Sequence, residues 1–128
     1  MRILVVDDRF HSRWDITDWL TVFLVSAAVE SAASAFLALA AVAKCKPDLI
    51  LAAHPMLDMG GIELARRLKS QRDPPLVVVM TEKSDAQFES ACEAAGADFW
   101  LEKRHLQARL LAFLQQRFSL RVLQQRPF

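Results

Sequence analysis

The chain has 128 residues, of which 53% are hydrophobic and 24% are charged, and its formal net charge is +1. This length and composition are those of one ordinary globular domain that buries a core without disulfides or metals. No apolar run approaches the roughly 18–20 residues that a membrane span needs, so we expect no membrane association.

The N-terminus and the cysteines indicate the compartment. Only Met1 and Arg2 precede the first apolar run, which soon ends at two aspartates, and this is not the pattern of a signal peptide. Cys45 and Cys92 lie far apart and match no metal spacing, so we interpret them as free thiols in a reducing compartment. We therefore expect a cytoplasmic protein.

The charges are unevenly distributed along the chain. Residues 1–102 contain 10 basic and 15 acidic side chains, whereas all charged residues from 103 to 128 are basic: Lys103, Arg104, Arg109, Arg117, Arg121 and Arg126. A basic C-terminal segment on an acidic body indicates either a contact surface at that end or a solvated helix face.

The hydrophobic spacing predicts five strands that alternate with five helices. Ser12 is the expected N-cap of the first helix, and Trp14 belongs to its apolar stripe. The predicted strands are residues 3–6, 25–30, 49–53, 76–80 and 99–101, and the predicted helices are residues 12–24, 34–45, 62–69, 85–95 and 105–124.

This alternation predicts an α/β fold with a parallel sheet that helices cover on both faces. In such folds the functional site lies at the carboxyl ends of the strands. The residues at those ends are Asp7, Asp8, Ala53, Thr81 and Lys103. We expect the fold to bring these five positions together.

The chain resembles the receiver domain of bacterial two-component response regulators over residues 1–118. Five segments carry the resemblance, in order and at the spacing of the family: ILVVDD (3–8), KPDLIL (46–51), MGGIEL (59–64), VVVMT (77–81) and GADFWLEK (96–103). The resemblance implies a flavodoxin-like doubly wound sheet of five parallel strands, in the order 2-1-3-4-5, with five helices. Residues 119–128 would extend the last helix or begin a linker.

The family also implies roles for the residues at the strand ends. Receivers hold Mg²⁺ with a pair of acids, accept a phosphoryl group on an aspartate of the third strand, and contact that group with a hydroxyl and a lysine. By position, Asp7 and Asp8 match the acid pair, Thr81 the hydroxyl and Lys103 the lysine. Trp100 matches the aromatic residue that turns with the hydroxyl.

The departure from the family is at residue 53. The flanking segments match without a gap and put Ala53 at the acceptor position, with Asp58 five residues later in a loop. Alanine has neither a nucleophile nor a metal-binding oxygen. The resemblance thus implies a pseudo-receiver with no catalytic residue. Asp7 and Asp8 would bind Mg²⁺ weakly at most. Alternatively, they bind no metal, and Lys103, within ion-pair reach, neutralises their charge. We interpret His54 as an ordinary loop histidine, not a substitute acceptor.

We expect the output surface to include the fourth helix, the fifth strand and the fifth helix, which receivers commonly use for partners and dimers. Its candidate residues are Trp100, Arg109, Arg117 and Arg121. The partner would be another protein or a second copy of the chain. Nucleic acid is disfavoured for this domain alone, because three arginines on one helix supply few phosphate contacts.

Three functions are compatible with these features. The first is a phosphorylation-independent signalling module, without enzymatic activity, that acts by binding a protein. The second is the N-terminal regulatory domain of a larger response regulator with a DNA-binding or enzymatic effector. The third, a small enzyme or nucleotide binder, is disfavoured because no Gly-rich phosphate loop follows the first strand.

Overall fold

The computed structural model describes residues 1–118, which form one five-stranded parallel sheet in the order β2-β1-β3-β4-β5. The predicted flavodoxin-like α/β fold and its strand order are confirmed. The strands are β1 (Arg2–Val6), β2 (Ala28–Ala32), β3 (Leu49–Ala53), β4 (Leu76–Thr81) and β5 (Phe99–Glu102).

The three central strands are continuous apolar runs because helices cover both faces of the sheet. All five residues of β3 are buried, and β1 and β4 are buried except for their first residues. The registers keep the carboxyl ends level: Val6 of β1 lies beside Ala32 of β2 and Ala52 of β3. The residues that follow these strands therefore meet at one edge.

Five α-helices connect and flank the strands in the described residues. They are α1 (Phe10–Phe23), α2 (Ala35–Lys44), α3 (Gly61–Lys69), α4 (Ala86–Ala94) and α5 (Leu106–Arg117), and a 3-10 turn at Lys103–His105 precedes α5. Ser34 caps α2 by accepting from the Leu37 N–H, and Asp85 caps α4 by accepting from the Phe88 N–H. Gly96 follows α4 with a φ of +83°, the left-handed conformation that favours glycine.

Several predicted boundaries are wrong near the edges of the sheet and at the chain ends. The helix α1 begins at Phe10 rather than after Ser12, and Trp14 lies on its exposed face instead of in the core. The strand β2 begins three residues later than predicted. The helix α5 ends at Arg117 because Phe118 has an extended backbone, so the predicted continuous helix to Gln124 is also wrong. The remaining predicted positions, 119–128, lie outside the described residues.

Within the part of the chain that the structure describes, no helix is both long enough and apolar enough to cross a membrane.

Candidate functional site

An ion pair joins the ends of the first and last strands. The Lys103 ammonium lies 2.8 Å from Oδ2 of Asp7, and the Asp7 residue is only 1% exposed. Lys103 directly follows β5 and Asp7 directly follows β1, so the level strand ends place the two groups together. The ion pair predicted between Lys103 and the acid pair is therefore present.

Ser12 completes this contact. Its hydroxyl donates to Oδ2 of Asp7 at 2.6 Å and accepts from the Lys103 ammonium at 2.9 Å. The Arg9 N–H donates to the other carboxylate oxygen at 3.0 Å. Because α1 begins at Phe10, Ser12 stands in its first turn and faces the strand end. A cation, a hydroxyl and a backbone N–H thus surround the buried carboxylate.

Asp8 is oriented differently from Asp7. Its Oδ2 accepts a hydrogen bond of 2.7 Å from the N–H of Leu57, in the loop between β3 and α3. On the opposite rim of the site, Glu82 lies 3.6 Å from the Lys103 ammonium and 3.5 Å from the Arg9 guanidinium. The two acids therefore make different contacts: Asp7 pairs with Lys103, and Asp8 holds the loop between β3 and α3.

The carboxyl ends of β3 and β4 carry the other two predicted positions. Ala53 ends β3, pairs with Met80 and is 2% exposed, while Thr81 ends β4 and is buried. The helix α3 begins so close to β3 that a Cβ on Gly61 would lie 2.6 Å from the Ala53 carbonyl oxygen. Glycine at this position allows the loop to return tightly over the strand end.

His54 fills the space beside Ala53. Its backbone N–H donates to the Met80 carbonyl at 2.7 Å, and its ring lies 6.0 Å from the Phe88 ring, centroid to centroid. A Cβ on Gly60 would lie 2.7 Å from Cε1 of His54, so the imidazole occupies the space of a side chain at residue 60. Nδ1 is buried without a hydrogen-bond partner, and burial lowers the pKa of His54. The ring is thus a neutral packing group.

Asp58 fixes the loop between β3 and α3 to another helix. Its carboxylate accepts from the N–H groups of Phe36 at 3.0 Å and Ala35 at 3.3 Å, at the start of α2. Burial alone would raise the pKa of Asp58, but the backbone donors of Phe36, Ala35 and Met59 together lower it. Asp58 is therefore a helix-capping carboxylate, and it serves α2 rather than the strand end.

The donor set does not fit a Mg²⁺ site. Mg²⁺ requires several oxygen ligands in near-octahedral geometry. Oδ2 of Asp7 already accepts from Lys103 and Ser12, Oδ2 of Asp8 accepts from a loop N–H, and Ala53 supplies no oxygen. Among residues 1–118, no three His, Cys, Asp or Glu side chains are grouped as metal ligands.

The candidate output residues lie on β5 and α5. Trp100 is half-buried and pairs with Val79, while the Arg109 guanidinium lies 5.3 Å from the centre of the Phe99 ring. The Arg117 guanidinium lies 5.7 Å from the centre of the Phe113 ring and 3.8 Å from Asp98. Arg121, the fourth predicted member, lies outside the described residues. The two described arginines are exposed and rest on aromatic rings at this surface.

The predicted strand ends include four polar positions of the site but not the residues that support them. The position of Ser12 before an apolar run predicts a helix cap, and no local pattern indicates its contact with a lysine 91 residues away. Glu82 follows Thr81 directly, and that position next to a strand end is a usable signal. The packing of His54 over Gly60 has a weaker signal, a second glycine beside Gly61.

Comparison with known proteins agrees with this architecture. The family model of the response regulator receiver domain matches residues 3–115. The chain belongs to the response regulator receiver domain family, a regulatory class of domain in two-component signalling. No curated protein matches it in sequence.

Solved structures share the fold over nearly the whole chain. The chemotaxis protein CheY4 of Vibrio cholerae is 29% identical with a TM-score of 0.78, covering 90% of this chain and 96% of that protein. A mutant receiver domain of the histidine kinase CKI1 from Arabidopsis thaliana is 27% identical with a TM-score of 0.76, covering 90% and 89%. The BeF3-activated N-terminal receiver domain of Klebsiella pneumoniae RstA, 24% identical, has a TM-score of 0.81 and covers 91% and 97%.

Proposed function

We propose that this chain is a pseudo-receiver, which signals without phosphorylation by binding a protein partner. The observation that carries the proposal is the end of β3, where the family places a nucleophilic aspartate and this chain has the buried methyl group of Ala53. A methyl group cannot attack a phosphoryl donor. The proposal also holds that the domain is not an enzyme and acts in the cytoplasm.

The contacts of Lys103 support this reading. In a receiver that accepts phosphoryl, the lysine and the metal neutralise the charge of the transferred group. Here Lys103 is held by Asp7 and Ser12. The Ser12 hydroxyl and the Lys103 ammonium thus both donate to Oδ2 of Asp7, and they also contact each other. We propose that this network needs no Mg²⁺ and keeps the domain in one conformation.

The proposed output surface consists of α4, β5 and α5. The guanidinium groups of Arg109 and Arg117 are exposed there, and Trp100 lies half-buried on the neighbouring strand. Arginine on an aromatic ring is held in place while its charge stays in water, which suits recognition of an acidic protein surface. A second candidate role, as the N-terminal regulatory domain of a larger response regulator, would use the same surface against its own effector.

Quantitative capture of partners tests the proposal. The immobilised domain is incubated with cytosolic extract, once untreated and once after treatment with acetyl phosphate and Mg²⁺. We expect the same proteins to be retained in the same amounts, because no phosphoryl group can be added at residue 53. A partner retained only after the phosphodonor treatment would contradict the proposal.

A further inference from the structure

Apart from Lys44 at its end, the helix α2 is apolar on all sides, although only one side of it is covered. Residues 32–43 contain no charged side chain. The buried residues of α2 are Ala35, Ala38 and Val42, which pack into the core. A helix that is hydrophobic all round normally lies inside a protein. The opposite face of α2 therefore has the composition of a covered surface.

That opposite face carries large and small apolar residues in a defined order. Phe36 is 71% exposed and Leu37 is 57% exposed, and both lie in the first turn of the helix. Ala40, Ala43 and Lys44 are the exposed residues that follow, at helical spacing. We call these five residues the α2 face. The side chains of the α2 face are large in the first turn of the helix and small after it, and the last one is basic.

The loop before α3 contacts the start of the α2 face and carries the exposed Leu57. Leu57 is 97% exposed, and its neighbour Asp58 is hydrogen-bonded to the first N–H groups of α2. The loop therefore holds a carboxylate at Phe36, next in sequence to an exposed apolar residue. The charges at the two ends of the face are opposite, with Asp58 at its start and Lys44 at its end.

We propose that the α2 face binds the α2 face of a second copy of this chain, with the two helices antiparallel around a two-fold axis at Ala40. A two-fold interface requires self-complementarity, so that each contact occurs twice. In this arrangement Leu37 of each copy lies over Ala43 of the other, and Ala40 meets its own counterpart. The small residue at the axis lets the helices approach closely while the large side chains fill the space over alanine.

The charges select the antiparallel orientation. Lys44 of each copy approaches Phe36 and Asp58 of the other, which offers the ammonium an aromatic ring and a carboxylate. A parallel pair would instead bring two Lys44 side chains together at one end and two Asp58 carboxylates at the other. Between the ends, the absence of charge on residues 32–43 favours a neutral partner surface such as a second α2 face.

This dimer goes beyond the proposed function and is independent of it. The α2 face belongs to a helix that follows the edge strand β2, whereas the proposed partner surface lies around β5, at the other edge of the sheet. A dimer formed through α2 therefore leaves Arg109 and Arg117 free. The receiver domain would present two copies of its output surface.

Sedimentation equilibrium of the full chain and of two matched variants tests the dimer. Phe36→Glu buries a charge at the interface and should weaken dimerisation by at least about tenfold. The control is Trp14→Glu on α1, an equally large change at an aromatic residue that is 63% exposed, and it should dimerise like the wild type. Thermal melting confirms that both variants are folded. A wild-type chain that is monomeric up to submillimolar concentration overturns the proposal, as does a dimer that only Trp14→Glu weakens.

Disulfide cross-linking tests the orientation. In a Cys45→Ser background, Ala40→Cys should cross-link to itself under mild oxidation, because the two-fold axis passes beside residue 40. The native Cys45 is exposed but should not cross-link in the otherwise unchanged chain, since the antiparallel pair separates the two thiols by about 15 Å along the helix axis. Cross-linking at Cys45, or none at Ala40→Cys in a dimeric sample, overturns the antiparallel pairing.

Discussion

Lys103 forms an ion pair with the buried Asp7 between the ends of β5 and β1, with 2.8 Å between the ammonium nitrogen and Oδ2. The two residues are 96 positions apart in the chain, and Ser12 contacts both of them. This three-residue network stands where receivers bind their metal and phosphoryl group. We propose that this network takes the place of both.

Replacing Lys103 with Met should destabilise the fold. The variant leaves the Asp7 carboxylate buried with only a hydroxyl and one N–H as donors, and loss of one partner of a buried pair costs about 3–5 kcal/mol. Urea unfolding measures the free energy. The matched control is the double variant Asp7→Asn/Lys103→Met, which removes the stranded charge and should recover most of the loss. Equal destabilisation in the single and double variants would show that the loss does not come from the stranded Asp7 carboxylate.

Introducing an aspartate at residue 53 should create a requirement for Mg²⁺. Ala53 follows Ala52, which pairs with Val6, so an aspartate there lies beside Asp7. Two buried carboxylates repel each other, and Ala53→Asp should unfold at a lower temperature than the wild type in EDTA. Millimolar Mg²⁺ should restore part of that loss, because a ligand that binds only the folded state stabilises it.

The wild type is the control for this experiment. Its melting temperature should be the same with EDTA and with Mg²⁺, since Lys103 already occupies Oδ2 of Asp7. A clear stabilisation of the wild type by Mg²⁺ would mean that Asp7 and Asp8 still form a metal site. That result would contradict the proposed metal independence.

The sequence was most informative where local pattern and burial agree. The runs that became β3 and β4 are buried on both faces, so apolar continuity predicted both the strands and the site positions that follow them. The strand β2 lies at the sheet edge and is mostly exposed, so its apolar pattern is weak and the predicted boundary is displaced. The contacts of Ser12 and of His54 depend on residues distant in the chain, and no local periodicity records them.

Acidification below neutrality should destabilise the protein through His54. Burial lowers the pKa of this imidazole below its ordinary value of 6.5, so the unfolded chain binds a proton more readily than the folded one. The contribution of the neutral His54 imidazole to stability is therefore fully present above about pH 6.5. It declines as the pH falls through that value toward the lowered pKa of the folded state. Melting curves between pH 7.5 and pH 5 record this loss.

The variant His54→Gln is the control for the acid response. It removes the titrating ring, and its stability should change much less across the same pH interval. Asp58 does not interfere, because its pKa lies below its ordinary value of 3.8 and its contribution is lost only at lower pH. An unchanged pH dependence in His54→Gln would assign the titration to another group.

Neutralising Arg109 and Arg117 should weaken partner binding. The double variant Arg109→Gln/Arg117→Gln removes two exposed charges while keeping polar side chains, which avoids a repulsive contact with Asp98. We expect a several-fold loss of affinity for the captured partner at low salt, and a smaller salt dependence of what remains. The control Arg67→Gln/Arg72→Gln removes the same charge outside the proposed surface. Equal effects of the two double variants would place the output surface elsewhere.

A pseudo-receiver cannot accept a phosphoryl group, and intact-protein mass spectrometry after incubation with acetyl phosphate and Mg²⁺ measures this. The wild type should keep its mass, because Ala53 has no nucleophile. The structurally similar chemotaxis protein CheY4 of Vibrio cholerae is measured under the same conditions as a reference. Peptide mapping then locates any added phosphate. An aspartyl phosphate on Asp7, Asp8 or Asp58 of the wild type would show that the domain is not a pseudo-receiver.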